Sequence, residues 1–239
     1  MKRAMISTVV AVMLLSACAY WGNDLLRWIE PETPSVSIGP TNDGRLLHGK
    51  RLPSAGPNYR TYSRLGSTLG RTAVNDRVRD TMLDSYMALE EITPEVRYVY
   101  GETGWPWGGR FRPHRTHQNG LSVDFMVPVT RNGTSTALPT TPFNKFGYAL
   151  QFDQEGQSGD LRIDFEAMAA HLDALDVAAQ QHGLRIALVV FAPDLQRRLY
   201  ETELGTTLRH RLTFNVNPSW VRHDDHYHVD FELTGGVAE

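Results

Sequence analysis

Five of the nine histidines lie in two short clusters. The first is His114-Arg115-Thr116-His117, followed by Gly120 and Asp124; the second is His223-Asp224-Asp225-His226-Tyr227-His228. Imidazole nitrogens and carboxylate oxygens are ligands for a divalent transition metal, and imidazole also moves protons near neutral pH. Three ligands of type His, Asp and His, with one position left to water, make the donor set of a catalytic zinc site. Closed structural sites favour four protein ligands, often cysteines, and this chain has only Cys18. His117, Asp124 and His228 are such a set for Zn2+ within the two clusters. A further, unligated histidine beside them could shuttle the proton.

Strand geometry makes the spacing meaningful, because side chains alternate between faces along a strand. Over 121–127, Leu121, Val123, Phe125 and Val127 face a core, and Ser122, Asp124 and Met126 face away. Over 227–233, Tyr227, Val229, Phe231 and Leu233 share the apolar face, while His226, His228 and Asp230 share the other. If the two strands are neighbours, Asp124 and His228 project from one side of one sheet. Gly120 permits a turn that folds His117 back over Asp124. Two histidine-rich strand faces that are merely solvated are the competing account. Two clusters, each on the non-core face of an amphipathic strand, weigh against it.

The elements that must position these residues follow from periodicity. Val78, Met82, Tyr86 and Leu89 predict a helix over 74–91, with Pro94 beyond its end. A strand is expected over 95–100, then a loop rich in Gly, Trp and Pro. A long polar connection over 130–160 holds a short expected strand at 148–152. Phe165, Met168, Leu172, Leu175 and Ala179 predict a helix over 164–182 that stops at Gly183. A buried strand is expected over 184–191 and a helix over 193–203. Strands and helices do not alternate cleanly, so the expected class is α+β, a small, mainly antiparallel sheet flanked by helices.

The first residues read as a targeting segment. Lys2 and Arg3 precede an apolar stretch, residues 5–15, too short for a stable membrane span. Leu15-Ser16-Ala17-Cys18 follows and resembles a bacterial lipoprotein signal, in which the cysteine is lipidated and begins the mature chain. An ordinary secretory signal cleaved after Ala19 and an uncleaved anchor are the other readings. The expected organisation is a signal peptide over 1–17, a flexible tether over 18–46 and a catalytic domain over 47–239. Pro31, Pro34, Pro40, Asn42 and Gly44 motivate the tether. The net charge of −3 gives no electrostatic reason to expect nucleic acid as a partner.

A family resemblance rests on these residues. Gly108-Gly109, then Pro113-His114-Arg115-Thr116-His117-Gln118-Asn119-Gly120-Leu121-Ser122-Val123-Asp124, and later Arg222-His223-Asp224-Asp225-His226-Tyr227-His228-Val229, resemble the penicillin-insensitive murein endopeptidases. These belong to the wider lysostaphin-like and D-Ala-D-Ala metallopeptidases. Lys50-Arg51-Leu52-Pro53 and Gly56-Pro57-Asn58-Tyr59-Arg60 are similar to the segment near the family's mature start. The resemblance implies that His117, Asp124 and His228 hold zinc and that His226 is the general base. It implies that His223 is an active-site histidine suited to a developing oxyanion. It also implies that His114 lies beside the site, orienting a ligand or touching a second metal. The family's further second-metal ligands have no clear place in the divergent 130–175 region; Asp164 and His171 are mere candidates, with a core or helix-surface role the stronger account of both. Asp230 stands where the family commonly has a basic residue.

The implied activity is hydrolysis of the D-alanyl–meso-diaminopimelyl cross-link of peptidoglycan by a zinc endopeptidase. Peptidoglycan peptide stems are the implied substrate and a membrane the partner of the N-terminal lipid. The chain is then periplasmic and lipid-anchored, with the outer membrane the expected one. The rivals are a murein carboxypeptidase or other-bond endopeptidase on the same zinc site, and a non-catalytic murein-binding lipoprotein. Trp105 and Trp107 read equally as a cleft wall or as loop residues pinned to the core. Arg110, Arg112 and Arg115 could meet substrate carboxylates. Asp224 and Asp225 read as turn residues or as acceptors that orient histidines.

Overall fold

The computed structural model describes residues 2–235. The N-terminal half comprises α1 (Lys2–Trp28), β1 (Val36–Ile38), β2 (Arg45–Leu47), β3 (Lys50–Arg51), β4 (Tyr59–Thr61), α2 (Arg64–Thr68), β5 (Ala73–Val74), α3 (Asp76–Ile92) and β6 (Tyr98–Tyr100). Then come β7 (Ser122–Met126), β8 (Val129–Arg131), β9 (Thr134–Thr136), β10 (Gln157–Ser158), β11 (Leu161–Ile163) and α4 (Phe165–Gln181). The chain closes with β12 (Leu184–Val190), α5 (Pro193–Tyr200), α6 (Glu203–Arg211) and β13 (His226–Leu233).

The class is α+β. A five-stranded sheet of order β12-β13-β7-β6-β4 forms its centre. All neighbours in it are antiparallel except β4 and β6. Strands β7 and β13 pair directly, with Asp124 opposite His228, Phe125 opposite Tyr227 and Val123 opposite Val229. Period-2 alternation then does the sorting. Val123, Phe125, Tyr227, Val229 and Phe231 are buried on one face, in one cluster with Met82 and Tyr86 of α3 and Met168 and Leu172 of α4. Truncating such a buried aromatic to alanine costs about 3–5 kcal/mol, so the face that carries Asp124 and His228 is fixed by its apolar reverse.

The helices begin where local chemistry allows. Asn75 caps α3, its side chain accepting from Arg77 N at 3.0 Å, so the helix starts two residues later than expected. Asp164 caps α4 by accepting from Ala167 N at 3.0 Å. That role answers the question of Asp164 as a metal ligand. The helix expected over 193–203 is two helices: Thr202 caps α6, its Oγ1 accepting from Gly205 N at 3.0 Å. Gly205 is required there, since a Cβ would come within 1.8 Å of Leu199 O.

Two further expectations differ from the structure. No strand forms at 148–152. Instead a 3-10 turn, Pro142–Gly147, carries left-handed backbone at Lys145 and Phe146 (φ 51° and 59°), and it lays the following loop over the polar face of the sheet. The stretch 18–46, expected as a flexible tether, is attached to the domain along its length. Asn23 is buried and donates from Nδ2 to Leu52 O at 2.8 Å. Ser35 N donates to Asp76 Oδ2 at 2.9 Å, and Asn119 Nδ2 donates to Gly39 O at 2.8 Å. The Pro, Asn, Gly and Ser residues taken as signs of flexibility build turns and side-chain hydrogen bonds instead.

His171 of α4 is fully buried between the rings of Tyr86, Tyr98, Phe125 and Tyr227. The Tyr227 hydroxyl lies 2.6 Å from its Nδ1. It belongs to the core and is no neighbour of the metal-type cluster. Burial lowers its pKa to about 3, against an ordinary value near 6.5. The neutral ring is thus favoured by folding. Its contribution to stability is complete above about pH 6.5 and is lost as pH falls from there towards about 3. Urea unfolding at pH 7 and pH 4.5 should show a larger loss for the wild type than for His171→Asn. The variant should be less stable at pH 7 by ~1–3 kcal/mol, having lost a buried hydrogen-bond partner. Equal losses in the two proteins would refute this account.

Candidate metal centre

Asp124 lies in the middle of β7, fully buried, with four histidines and a tyrosine around it. Its Oδ1 is 3.2 Å from His117 Nε2 and 2.9 Å from His228 Nδ1. Its Oδ2 accepts from the Tyr148 hydroxyl at 3.0 Å and lies 3.6 Å from His114 Nδ1 and 4.0 Å from His226 Nε2. Burial works against the carboxylate charge, but His117, His114 and His228 outweigh it and hold the pKa well below the ordinary range.

His117 reaches this point from a loop. Its backbone is left-handed, at φ 68°, which costs a non-glycine residue of order 1 kcal/mol. Neighbouring hydrogen bonds hold it there: Gln118 N donates to Thr41 O at 2.9 Å, and Asn75 N to Gly120 O at 3.0 Å. Gly120 itself sits at φ 77°, where a Cβ would meet Asn75 N at 2.8 Å. The tautomer of His117 follows from its partner. Nδ1 lies 3.1 Å from Thr103 O, and a carbonyl can only accept, so Nδ1 carries the hydrogen. Burial lowers the pKa and keeps the ring neutral. Nε2 is then a bare lone pair, buried and without a hydrogen-bond partner.

His228 is arranged in the opposite sense. Nε2 faces Asp230 Oδ1 at 2.9 Å, and Ser122 Oγ donates to that oxygen at 2.5 Å. Nδ1 faces Asp124. Burial opposes charge on this ring, yet Asp230 and Asp124 raise its pKa to about 10. A proton between two carboxylates occupies the place a cation would take. An orphaned lone pair on His117, an imidazole held between two carboxylates, and a buried Asp124 together fit a divalent metal with nitrogen and oxygen ligands.

His114, His117 and Asp124 also form a group that could hold a metal ion, with ligand atoms within 4.8 Å of one another. In this arrangement, however, His114 Nε2 is 2.6 Å from Glu102 Oε2. Glu102 also accepts from Arg71 and, at 2.8 Å, from the Tyr62 hydroxyl. Burial alone would raise the Glu102 pKa, but the hydrogen bonds and charges of His114 and Arg71 lower it to about 2.

The other two histidines flank a cleft of about 750 Å³ that also takes in Tyr62, Phe146, Tyr148, Trp220 and Arg115. His226 pairs through Nδ1 with Asp225. Burial opposes charge on the ring, but Asp225 and Asp124 raise its pKa. His223 lies 4.5 Å from His226, ring to ring, and its Nδ1 donates to Val221 O at 2.9 Å. Burial, then the neighbouring His226, lowers its pKa to about 4. Its Nε2 is therefore an acceptor, and donation to an oxyanion would need a protonation that burial opposes.

Asp225 orients a histidine. Asp224 does not: it accepts from Phe152 N and Arg222 Nη1 at 2.8 and 2.7 Å and so ties the covering loop down. Trp105 and Trp107 stack on each other, with Trp105 also edge-on to Phe111, rather than lining the cleft, and Arg110 and Arg112 stay outside it. Glu102, Tyr148, Tyr62 and Arg71 are the site residues that sequence reasoning missed. Glu102 carries one faint signal, an acid two residues after the buried strand β6 in a loop rich in Gly, Trp and Pro. Tyr148 carries none, because it sits in an aperiodic connection.

Among known proteins, the family model described as penicillin-insensitive murein endopeptidase matches residues 37–238. The match begins inside the stretch that composition suggests is a tether. No curated protein matches the chain.

Asp230 makes a direct prediction. By fixing His228 Nε2 it turns Nδ1 towards Asp124, and such supporting contacts are typically worth ~10–100-fold in metal affinity. Asp230→Asn should weaken metal binding by about that factor, measured by competition with a chelator, without unfolding the chain. Unchanged affinity would remove Asp230 from this role.

Proposed function

The chain belongs to the penicillin-insensitive murein endopeptidase family, and from that premise we propose that it is a zinc-dependent endopeptidase cutting the D-alanyl–meso-diaminopimelyl cross-link of peptidoglycan. We assign the metal to His117, Asp124 and His228. The observation that carries the reading is the convergence of His117 Nε2 and His228 Nδ1 on Asp124 Oδ1, at 3.2 and 2.9 Å. His114 is the alternative third ligand: Glu102 holds its Nε2 as Asp230 holds that of His228, and its Nδ1 lies 3.6 Å from Asp124 Oδ2.

When bound, zinc supplies Lewis acidity for the scissile carbonyl and an acidified water. The chain's own residues do the rest. Asp225 fixes the His226 ring through Nδ1, which leaves Nε2 facing the Asp124 cluster. From there His226 takes the proton of the attacking water and returns it to the leaving amine nitrogen. His223 offers an acceptor at the cleft wall, suited to holding a water or a substrate N–H. Tyr148, whose proton is retained because burial raises its pKa, donates to Asp124 Oδ2 and walls the cleft at His226. Arg115 makes no ion pair among the described residues and lies 5.4 Å from the Trp220 ring, free to meet a carboxylate of diaminopimelate.

We further assign Cys18, which is exposed, as the lipid-bearing residue of a periplasmic lipoprotein, with the outer membrane its site. The support is the Leu15-Ser16-Ala17-Cys18 pattern after a short apolar stretch. Loss of fatty-acid labelling in Cys18→Ala checks this assignment; undiminished labelling would overturn it.

The decisive experiment compares two variants for metal content and muropeptide cleavage. His226→Ala should keep about one zinc per chain and lose ~10²–10⁴-fold in rate, the usual contribution of a placed proton-transfer group. His228→Ala should lose both. Equal metal loss in the two variants would reverse the assignment of base and ligand. Retained metal with wild-type cleavage in His226→Ala would move the base elsewhere. Cleavage by the wild type of a bond other than the cross-link would correct the substrate.

A further inference from the structure

Helix α1 continues well past the apolar stretch, to Trp28. Its part after Cys18 has two distinct sides. On one, Thr68 Oγ1 donates to Ala19 O at 3.3 Å, Asn23 is buried against Leu52 and Ser54, and Asp24 Oδ1 accepts from Ser54 N at 3.0 Å. Gly22 packs so closely that a Cβ there would lie 2.7 Å from Thr68 Cγ2. On the other, Trp21, Leu25, Trp28 and Ile29 are 57, 61, 86 and 76 % exposed. Their spacing of i, i+4, i+7 and i+8 makes one stripe along the helix. Single exposed apolar residues need no explanation, but a contiguous stripe with two tryptophans does.

Two arguments identify what covers it. The first is composition. An exposed apolar stripe of two Trp, a Leu and an Ile is that of a helix lying in a bilayer interface, where tryptophan sits at headgroup level. The second is length. Ala19, one residue after Cys18, is already hydrogen-bonded to the domain. Trp21 lies only ~4.5 Å further along the axis at ~1.5 Å per residue. A lipid on Cys18 therefore has no slack, and the stripe meets the surface that the lipid enters. Among the described residues no helix is long and apolar enough to cross a membrane, and the geometry here is of a helix lying on one.

We propose that residues 19–29 form an interfacial helix that seats the domain directly on a lipid bilayer through Trp21, Leu25, Trp28 and Ile29. The inference rests on the assignment of Cys18 as lipid-bearing. It bears on the substrate. Helix α2 presents Thr68 to α1, while its Leu65 and Gly66, with the following Leu69, line the cleft. The cleft therefore stands about one helix spacing, ~8–10 Å, from the seated helix. The murein peptides it accepts are those at the membrane surface, not those deeper in the wall.

The test uses the full chain, processed in a bacterial host, purified in detergent and reconstituted into vesicles of phosphatidylethanolamine and phosphatidylglycerol with brominated acyl chains. Brominated lipid should quench part of the wild-type tryptophan emission. The double variant W21F/W28F should lose the quenched part and keep the unquenched emission of Trp105, Trp107 and Trp220. Muropeptide cleavage in detergent should be the same for both proteins. Unquenched wild-type emission in a chain that carries fatty acid overturns the inference and leaves the lipid anchor standing. Quenching in a chain without fatty acid supports the docking and sinks the assignment of Cys18. Unquenched emission with a dimer in detergent assigns the stripe to a second copy and also overturns the inference.

Discussion

The constraint on which the site depends is the buried charge of Asp124. A carboxylate removed from water is tolerated only if other groups replace its hydration. Here His117 and His228 face one oxygen, and Tyr148 and His114 face the other. Each of the three histidines is in turn held from outside the cluster, His117 by Thr103, His228 by Asp230 and His114 by Glu102. Breaking such a buried arrangement by removing one partner typically costs ~3–5 kcal/mol. The network therefore has few independent parts, and its geometry is set before any ligand arrives.

That geometry is imposed by the sheet. Strands β7 and β13 are locked by the apolar residues on their reverse side, so Asp124 and His228 stand side by side as a consequence of core packing. A one-residue slip of either strand would turn the site residues it carries into the core. His117 has no such backing. It is held by loop hydrogen bonds to residues 39–42 and to the start of α3, and so the segment ahead of the sheet is part of the site's support.

The proton-moving side of the cleft is built differently. His226 and His223 lie ring against ring, yet Asp225 raises one pKa and burial lowers the other. Two like groups set apart by their surroundings can take different roles in one reaction. The carboxylate beside His226 orients the ring, and the carbonyl beside His223 fixes its tautomer.

The sequence by itself determined what depends on local period and local chemistry. Alternation along 121–127 and 227–233 put Asp124 and His228 on non-core faces, and the i, i+3, i+4 spacing of apolar residues placed α3 and α4. It did not reach the 3-10 turn before Tyr148, the start of α6 at Thr202 or the attachment of residues 19–46. The last of these depends on partners distant in the chain. Asn23 is buried because Leu52 and Ser54 lie over it, and Asn119 binds Gly39, 80 positions earlier in the chain. Glu102 and Tyr148 joined the site for the same reason. Their spacing carries no period, and only the folded chain brings Glu102 to His114 and Tyr148 to Asp124. Tertiary structure decided those contacts because an aperiodic loop takes its conformation from the surface it packs on, and that surface exists only once the sheet has formed.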